Sequence, residues 1–152
     1  MTFDEMDKRS EKNEGNPRES PMTDPLSESL YSKLEARKKK LIFILEDFPP
    51  TVAFYKRLLT GYNLTDTGTV DEAIKAIDKI KQSGGKIDIM ISDFNLPDGL
   101  SVKAIEHMRE AFSDVKIILV SGNEDAESFA KVDKFISKDR AIDVKEAVDE
   151  FL

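Results

Sequence analysis

Three short, largely apolar runs constrain the fold of this chain more than any other feature. They are Leu41–Leu45, Ile87–Ser92 and Lys116–Ser121. Runs of this kind are typical of strands that are buried on both faces of a parallel sheet. A weaker run at Lys134–Ser137 predicts a further strand, and the more polar stretch Tyr62–Asp66 suits an edge strand.

Between these runs, apolar residues recur at helical spacing and predict five helices. The groups lie within residues 52–59, 70–77, 104–112, 126–130 and 142–151. Five strands that alternate with five helices predict an α/β domain with a parallel sheet.

The chain before residue 40 has a different composition. Residues 1–25 are polar, include three prolines and show no periodicity, so we predict a disordered tail. Leu26, Leu30 and Leu34 then lie four residues apart, which predicts a linker helix over residues 26–39. This narrow apolar stripe leaves open whether the helix packs on the domain at 40–152 or stays in solvent.

Charge and composition exclude several classes of function. Residues 41–152 hold 21 acids and 14 bases, which accounts for the net charge of −7. So acidic a region repels the phosphates of nucleic acid. No apolar run approaches the ~18 residues of a membrane span. The absence of cysteine excludes thiolate chemistry and fits a cytoplasmic protein.

Polar residues stand where the predicted strands end. Glu46 and Asp47 follow the first, Asp93 follows the third, Ser121 ends the fourth and Lys138 follows the fifth. We expect them to converge, because ligands of such folds bind at the carboxyl ends of the strands. Clustered carboxylates repel one another, and a hard cation such as Mg²⁺ relieves that repulsion. A nearby lysine and hydroxyl would hold phosphoryl oxygens, so the cluster predicts an aspartyl-phosphate site with Asp93 as nucleophile.

Taken singly, these residues have simpler explanations. An acid at a strand end often caps a helix, and Ser121 with Glu124 fits a capping box. Lys138, considered alone, would be interpreted as a surface lysine. The single histidine, His107, precedes the apolar Met108, and we expect it at the surface rather than as a phosphohistidine. The joint placement of the polar residues favours a functional site.

Residues 40–152 resemble the receiver domain of bacterial response regulators, the phosphoacceptor module of two-component signalling. Segment 89–99, Ile-Met-Ile-Ser-Asp-Phe-Asn-Leu-Pro-Asp-Gly, carries the most specific likeness, to the phosphoacceptor segment. Residues 41–47 resemble the first strand with its acidic pair, and 117–122 resemble the strand that ends in the switch hydroxyl. The resemblance implies a flavodoxin-like, doubly wound, five-stranded (βα)5 sheet.

The resemblance also implies how the metal is held. Asp93 accepts the phosphoryl group and, with Asp47, binds Mg²⁺ or Mn²⁺ directly. Glu46 acts mainly through water, and the backbone carbonyl of Asn95 completes the protein ligands.

Other residues take their roles from the same resemblance. Lys138 and Ser121 bind phosphoryl oxygens, and Ser121 moves on phosphorylation. Phe135 rotates with it and reports the state to a partner. Asn95 and Asn123 occupy positions that tune the lifetime of the phosphoryl group.

Three features depart from the family pattern. Asp139 follows Lys138 where the family usually has proline, and Ser101 stands where a loop glycine is common. Ser121 and Lys138 are 17 residues apart, an interval shorter than usual by more than one turn of 3.6 residues. We therefore expect a shortened fourth helix and an incomplete dimer face.

The function implied is a phosphorylation-dependent signalling module rather than a classical enzyme. It takes a phosphoryl group from a histidine kinase or a histidine phosphotransfer protein and acts as a monomer through a downstream protein, because no output domain follows Leu152. A receiver-like interaction module that works without phosphorylation is the alternative. A phosphohydrolase of the haloacid dehalogenase type fits poorly, because Asn95 stands where its acid/base aspartate would be.

Overall fold

The computed structural model describes residues 25–152, so the predicted tail lies almost wholly outside the described residues. The chain divides into two units, residues 1–37 and residues 38–152. A helix at Pro25–Lys38 lies where the leucine spacing predicts one. It carries Leu30 and Tyr31 with exposed side chains.

The second unit is built on a five-stranded parallel sheet. Its strands are β1 Leu41–Leu45, β2 Asn63–Thr67, β3 Ile89–Ser92, β4 Lys116–Ser121 and β5 Lys134–Ser137. Their order across the sheet is β2-β1-β3-β4-β5, and every neighbouring pair is parallel. This order confirms the predicted doubly wound α/β fold.

Helices cover both faces of the sheet. They are α1 Pro49–Leu58, α2 Val70–Gln82, α3 Val102–Ala111 and a C-terminal helix at Val144–Phe151. A 3-10 helix at Lys138–Asp143 leads into the last of them. Within residues 25–152, no helix combines the length and apolar character needed to cross a bilayer.

Alternate residues of the buried strands face opposite layers of the core. Phe43 and Leu45 of β1 pack with α2 and α3, whereas Ile42 and Ile44 pack with α1 and the C-terminal helix. All four side chains are fully buried. The sheet is therefore fixed from both sides, which holds the ends of its strands in a defined register.

The element between β4 and β5 is a 3-10 helix at Glu124–Phe129, in agreement with the predicted shortening. Its N-cap is Asn123, whose side chain accepts a hydrogen bond from the Asp125 N–H at 2.9 Å. The capping box that Ser121 would fit if taken singly is therefore not formed. Ser121 is still part of β4, and its hydroxyl oxygen accepts from the Asn123 N–H at 3.0 Å.

A small hairpin after β3 is tied to the start of α2. Its strands, Asn95–Leu96 and Gly99–Leu100, are joined by a turn at Pro97 and Asp98, and Gly99, which follows the turn, has a φ of 141° that favours glycine. Asp98 in this turn accepts hydrogen bonds from the N–H groups of Val70 at 2.8 Å and Asp71 at 3.0 Å. A carboxylate from the hairpin therefore caps a helix that precedes it in the chain.

We expect Asp98→Ala to lower the melting temperature at neutral pH, because two amides of α2 lose their acceptor. Hydrogen bonds from the amides of Asp71 and Val70 hold the pKa of Asp98 below its usual value. The contribution is therefore present above the ordinary carboxyl pKa and is lost as pH falls through the lowered pKa.

Thermal unfolding over a pH series checks this. The difference in melting temperature between Asp98→Ala and the unchanged protein should become smaller in acid. Asp98→Asn keeps one acceptor oxygen, so its melting temperature should lie between the other two. A difference that does not vary with pH would contradict the capping role.

Candidate functional site

The register of the sheet brings acidic residues together at its carboxyl edge. Leu45 of β1 pairs with Ser92 of β3, so the residues that follow them, Glu46 and Asp93, lie side by side. The backbone N–H of Asp93 donates to the Leu45 carbonyl at 2.9 Å. Glu46 and Asp93 are 5% and 6% exposed, so both carboxyl groups are largely withdrawn from water.

The same register adds a hydroxyl and an ammonium group. Ser121 of β4 pairs with Ser137 of β5, and Lys138 follows immediately. The Nζ of Lys138 donates to Oδ2 of Asp93 at 3.0 Å, while the side chain of Lys138 stays half-exposed. The lysine therefore neutralises the buried carboxylate while its own charge remains partly hydrated.

Asp93 is held at both carboxylate oxygens. Oδ1 accepts from the N–H of Phe94 at 2.7 Å, and Oδ2 accepts from Lys138. Burial acts to lower the pKa of Lys138, but the hydrogen bond to Asp93 and the surrounding negative charges outweigh it and raise that pKa. The ammonium group is therefore charged at neutral pH.

Among the acids of this cluster, Glu46 has the pKa that its surroundings shift most. Burial, the negative charge of Asp93 and a hydrogen bond with Asp93 raise the pKa of Glu46 to about 7. The charge of Lys138 and the Phe48 amide act in the opposite direction. Two adjacent buried carboxyl groups ionise together less readily than one alone, so Glu46 keeps its proton to a higher pH than a free glutamate does.

The donor set fits a hard divalent cation. One carboxylate oxygen from each of Glu46, Asp47 and Asp93 lies within 4.8 Å of the others. Asp47 is exposed, so the cluster is open to solvent. Carboxylate oxygens with room for water are the ligands that Mg²⁺ and Mn²⁺ prefer. Asn95 lies at the start of the hairpin beside the cluster, where its backbone carbonyl is the further ligand that the family resemblance implies.

The structure places the remaining predicted residues near this edge without joining them to the carboxylates. Ser121 is 2% exposed, and its bond to the Asn123 amide leaves the hydroxyl proton able to donate elsewhere. Asn123 uses its side-chain oxygen to cap the 3-10 helix. Phe135 is half-buried against the core layer of α2 and α3. Their roles in switching and lifetime remain predictions.

Sequence reasoning missed two residues of the site. The Phe94 N–H that bonds Asp93 is a backbone group, which no sequence pattern identifies. Tyr55 of α1 fits the helical spacing of a core residue, and it is 2% exposed. Burial, followed by the negative charges of Glu46 and Asp93, raises the pKa of Tyr55 far above its usual value. Its phenol is therefore a neutral group near the two acids.

His107 lies apart from this site. Its Nε2 and Oδ1 of Asp78 are 2.7 Å apart, a contact that joins α3 to α2. The imidazole is partly exposed and is not among the residues gathered at the carboxyl edge.

The raised pKa of Glu46 predicts how metal-free protein responds to pH. Its contribution to stability is fully present below the ordinary value of 4.5 and is lost as pH rises through about 7. Glu46→Gln stays neutral, so we expect it to be more stable than the unchanged protein at pH values above that window.

Chemical denaturation in a chelating buffer measures this effect. Glu146→Gln, which replaces an exposed glutamate of the C-terminal helix, is the matched control and should retain the pH dependence of the unchanged protein. Identical pH profiles for Glu46→Gln and the unchanged protein would count against a shared proton at the site.

Comparison with known proteins gives a consistent result. Residues 42–147 match the family model for the response regulator receiver domain. Among curated proteins, no sequence matches the chain. The match covers more than half of the chain and confirms the resemblance carried by the strand-end motifs.

Solved structures with the same fold include several receiver domains. The response regulator TrrA from Thermotoga maritima, in complex with Mg²⁺-BeF, is 26% identical with a TM-score of 0.60, over 74% of this chain and 99% of that one. The phosphorylated cyanobacterial phytochrome response regulator RcpA is 16% identical with a TM-score of 0.63, and the match covers 74% of this chain and 92% of RcpA. A response regulator from Burkholderia pseudomallei, solved with a phosphorylated aspartic acid, calcium ion and citrate, is 16% identical with a TM-score of 0.57. The match covers 73% of this chain and 71% of that one.

Proposed function

This chain belongs to the response regulator receiver domain family, and we propose that Asp93 accepts a phosphoryl group from a histidine kinase or a histidine phosphotransfer protein. The observation that carries the proposal is the environment of Asp93. Its buried carboxylate lies between the Phe94 N–H and the Lys138 ammonium group and next to the carboxyl groups of Glu46 and Asp47. If the ion pair between Asp93 and Lys138 only stabilised the fold, the two further acids beside it would have no role.

In the proposed reaction, one carboxylate oxygen of Asp93 attacks the phosphorus of a phosphohistidine. A P–O bond forms as the P–N bond breaks, and the imidazole leaves with the electron pair of that bond. Asp93 becomes a mixed anhydride, and Lys138 moves its hydrogen bond to a phosphoryl oxygen. Asp47, Asp93 and the Asn95 carbonyl, with Glu46 through water, would hold Mg²⁺ or Mn²⁺, and the ion would supply positive charge opposite the phosphoryl oxygens.

Signalling follows from the groups that contact the phosphoryl oxygens. Ser121 donates its free hydroxyl proton to one oxygen and moves towards Asp93. Space vacated by this movement lets Phe135 turn inward, and a downstream protein reads the change. Ser121 and Lys138 must contact phosphate better in one state than in the other for this shift to occur. Asn95 and Asn123 flank the phosphoryl group and set its lifetime.

We expect the chain to gain one phosphoryl mass from acetyl phosphate in the presence of Mg²⁺, because Asp93 combines a metal site with a lysine. Intact-mass spectrometry measures the gain. Asp93→Asn and excess chelator should each abolish it.

Asp114→Asn is the matched control for this experiment. It removes an exposed carboxylate that lies outside the cluster and should be phosphorylated like the unchanged protein. Phosphorylation of Asp93→Asn would disprove the assignment of the acceptor. A folded, unchanged protein that gains no mass would favour the phosphorylation-independent interaction module.

We also expect the phosphorylated chain to remain a monomer, because the 3-10 helix at Glu124–Phe129 shortens the surface beside β5. Sedimentation with beryllofluoride, which stands in for the phosphoryl group, measures this. A shift to dimer that Asp93→Asn abolishes would show that the shortened surface still assembles.

A further inference from the structure

The short 3-10 helix between β4 and β5 borders a groove beside α3. The groove has a volume of about 570 Å³ and lies between Ile105–Glu110 of α3 and Glu127–Lys131. Ile105 is buried at its base, and Phe129 forms a wall with 57% of its surface exposed. A large aromatic side chain that lines a concave surface while remaining half in water is typical of a binding surface.

Phe129 is held in place although it is exposed. Its ring lies 5.8 Å from the ring of Phe94, centroid to centroid, at an angle of 35°. Phe94 is 3% exposed and cannot move freely. One face of Phe129 is therefore fixed by a buried neighbour, and a ligand that packs on the other face has less side-chain entropy to overcome.

The rim of the groove is acidic. Glu106, Glu110 and Glu127 line it, and within residues 25–152 no lysine or arginine forms an ion pair with any of them. Arg109 is already engaged by the Lys131 carbonyl at 2.9 Å and by Asp133 at 3.1 Å. Three carboxylates thus face one uncommitted cation, Lys131, and the groove attracts positive charge.

We propose that this groove binds a segment of a partner protein in which a large apolar side chain is flanked by lysine or arginine. The apolar side chain would pack on Phe129 and above Ile105. The flanking cations would lie against Glu106, Glu110 and Glu127, whereas an acidic segment would be repelled. None of the residues that line the groove belongs to the carboxylate cluster at Asp93, so the groove can be tested independently of phosphoryl transfer.

The test uses two short fluorescent peptides and the full chain without phosphodonor. One peptide has a phenylalanine between lysines, and the other has the same phenylalanine between glutamates. Fluorescence anisotropy at low salt should show binding of the lysine peptide alone. Amide NMR shifts should fall on Ala130, Lys131 and α3. Equal binding of both peptides, binding of neither, or shifts confined elsewhere would overturn the proposal.

Variants separate the groove from general attraction to an acidic protein. Phe129→Ala should weaken binding of the lysine peptide about tenfold. Ile142→Ala removes an apolar side chain that is 63% exposed outside the groove and should leave binding unchanged. The double variant Glu106→Lys/Glu110→Lys should bind the glutamate peptide instead, a gain that loss of folding cannot produce. Self-association of the free chain that Phe129→Ala abolishes would identify a second copy as the occupant and overturn the proposal.

Discussion

The burial of two adjacent carboxyl groups, Glu46 and Asp93, is the constraint on which the site of this domain depends. The pairing of β1 with β3 brings Glu46 next to Asp93, and the packing of helices on both faces keeps water away. Burial first, and the negative charge of Asp93 second, raise the pKa of Glu46, and Lys138 offsets only part of this effect. A divalent cation held by the same carboxylates would offset the rest, which is a physical reason for one to bind there.

The hydrogen bonds of the hairpin show how this strained edge is supported. Asp93 leads directly into residues 95–100, and Asp98 in that segment caps α2. The segment after Asp93 is thus fixed to a helix that packs on the sheet through Ala73 and Ile77. The Phe94 amide is held in position for Oδ1 of Asp93 by the same segment.

Much of the fold could be predicted because buried parallel strands leave long apolar runs. β1 and β4 follow from such runs, whereas the doubly wound order of the sheet was implied by the family resemblance. The edge strand Asn63–Thr67 begins one residue after the predicted start. The hairpin at 95–100 was missed because two-residue strands have no periodicity. The cap at Asn123 was missed, and Ser121 taken singly fitted a capping box, because sequence alone does not show where β4 ends. The convergence of Glu46, Asp93 and Lys138 was predictable from topology, but the neighbouring Tyr55 resembles any core residue.

The position of β5 at the sheet edge has a consequence for the assembly of the domain. Ile42 pairs with Ile89, so β1 can find its second partner only after a long stretch of chain has been made, and parallel pairing of this kind is slow. In a chain growing from its N-terminus, Glu46 and Asp93 are synthesised before Lys138. Until that lysine leaves the ribosome, burial of the two carboxyl groups is opposed by their charge. Closure of the site is therefore a late step of folding, and the nascent domain keeps this edge hydrated until its last strand arrives.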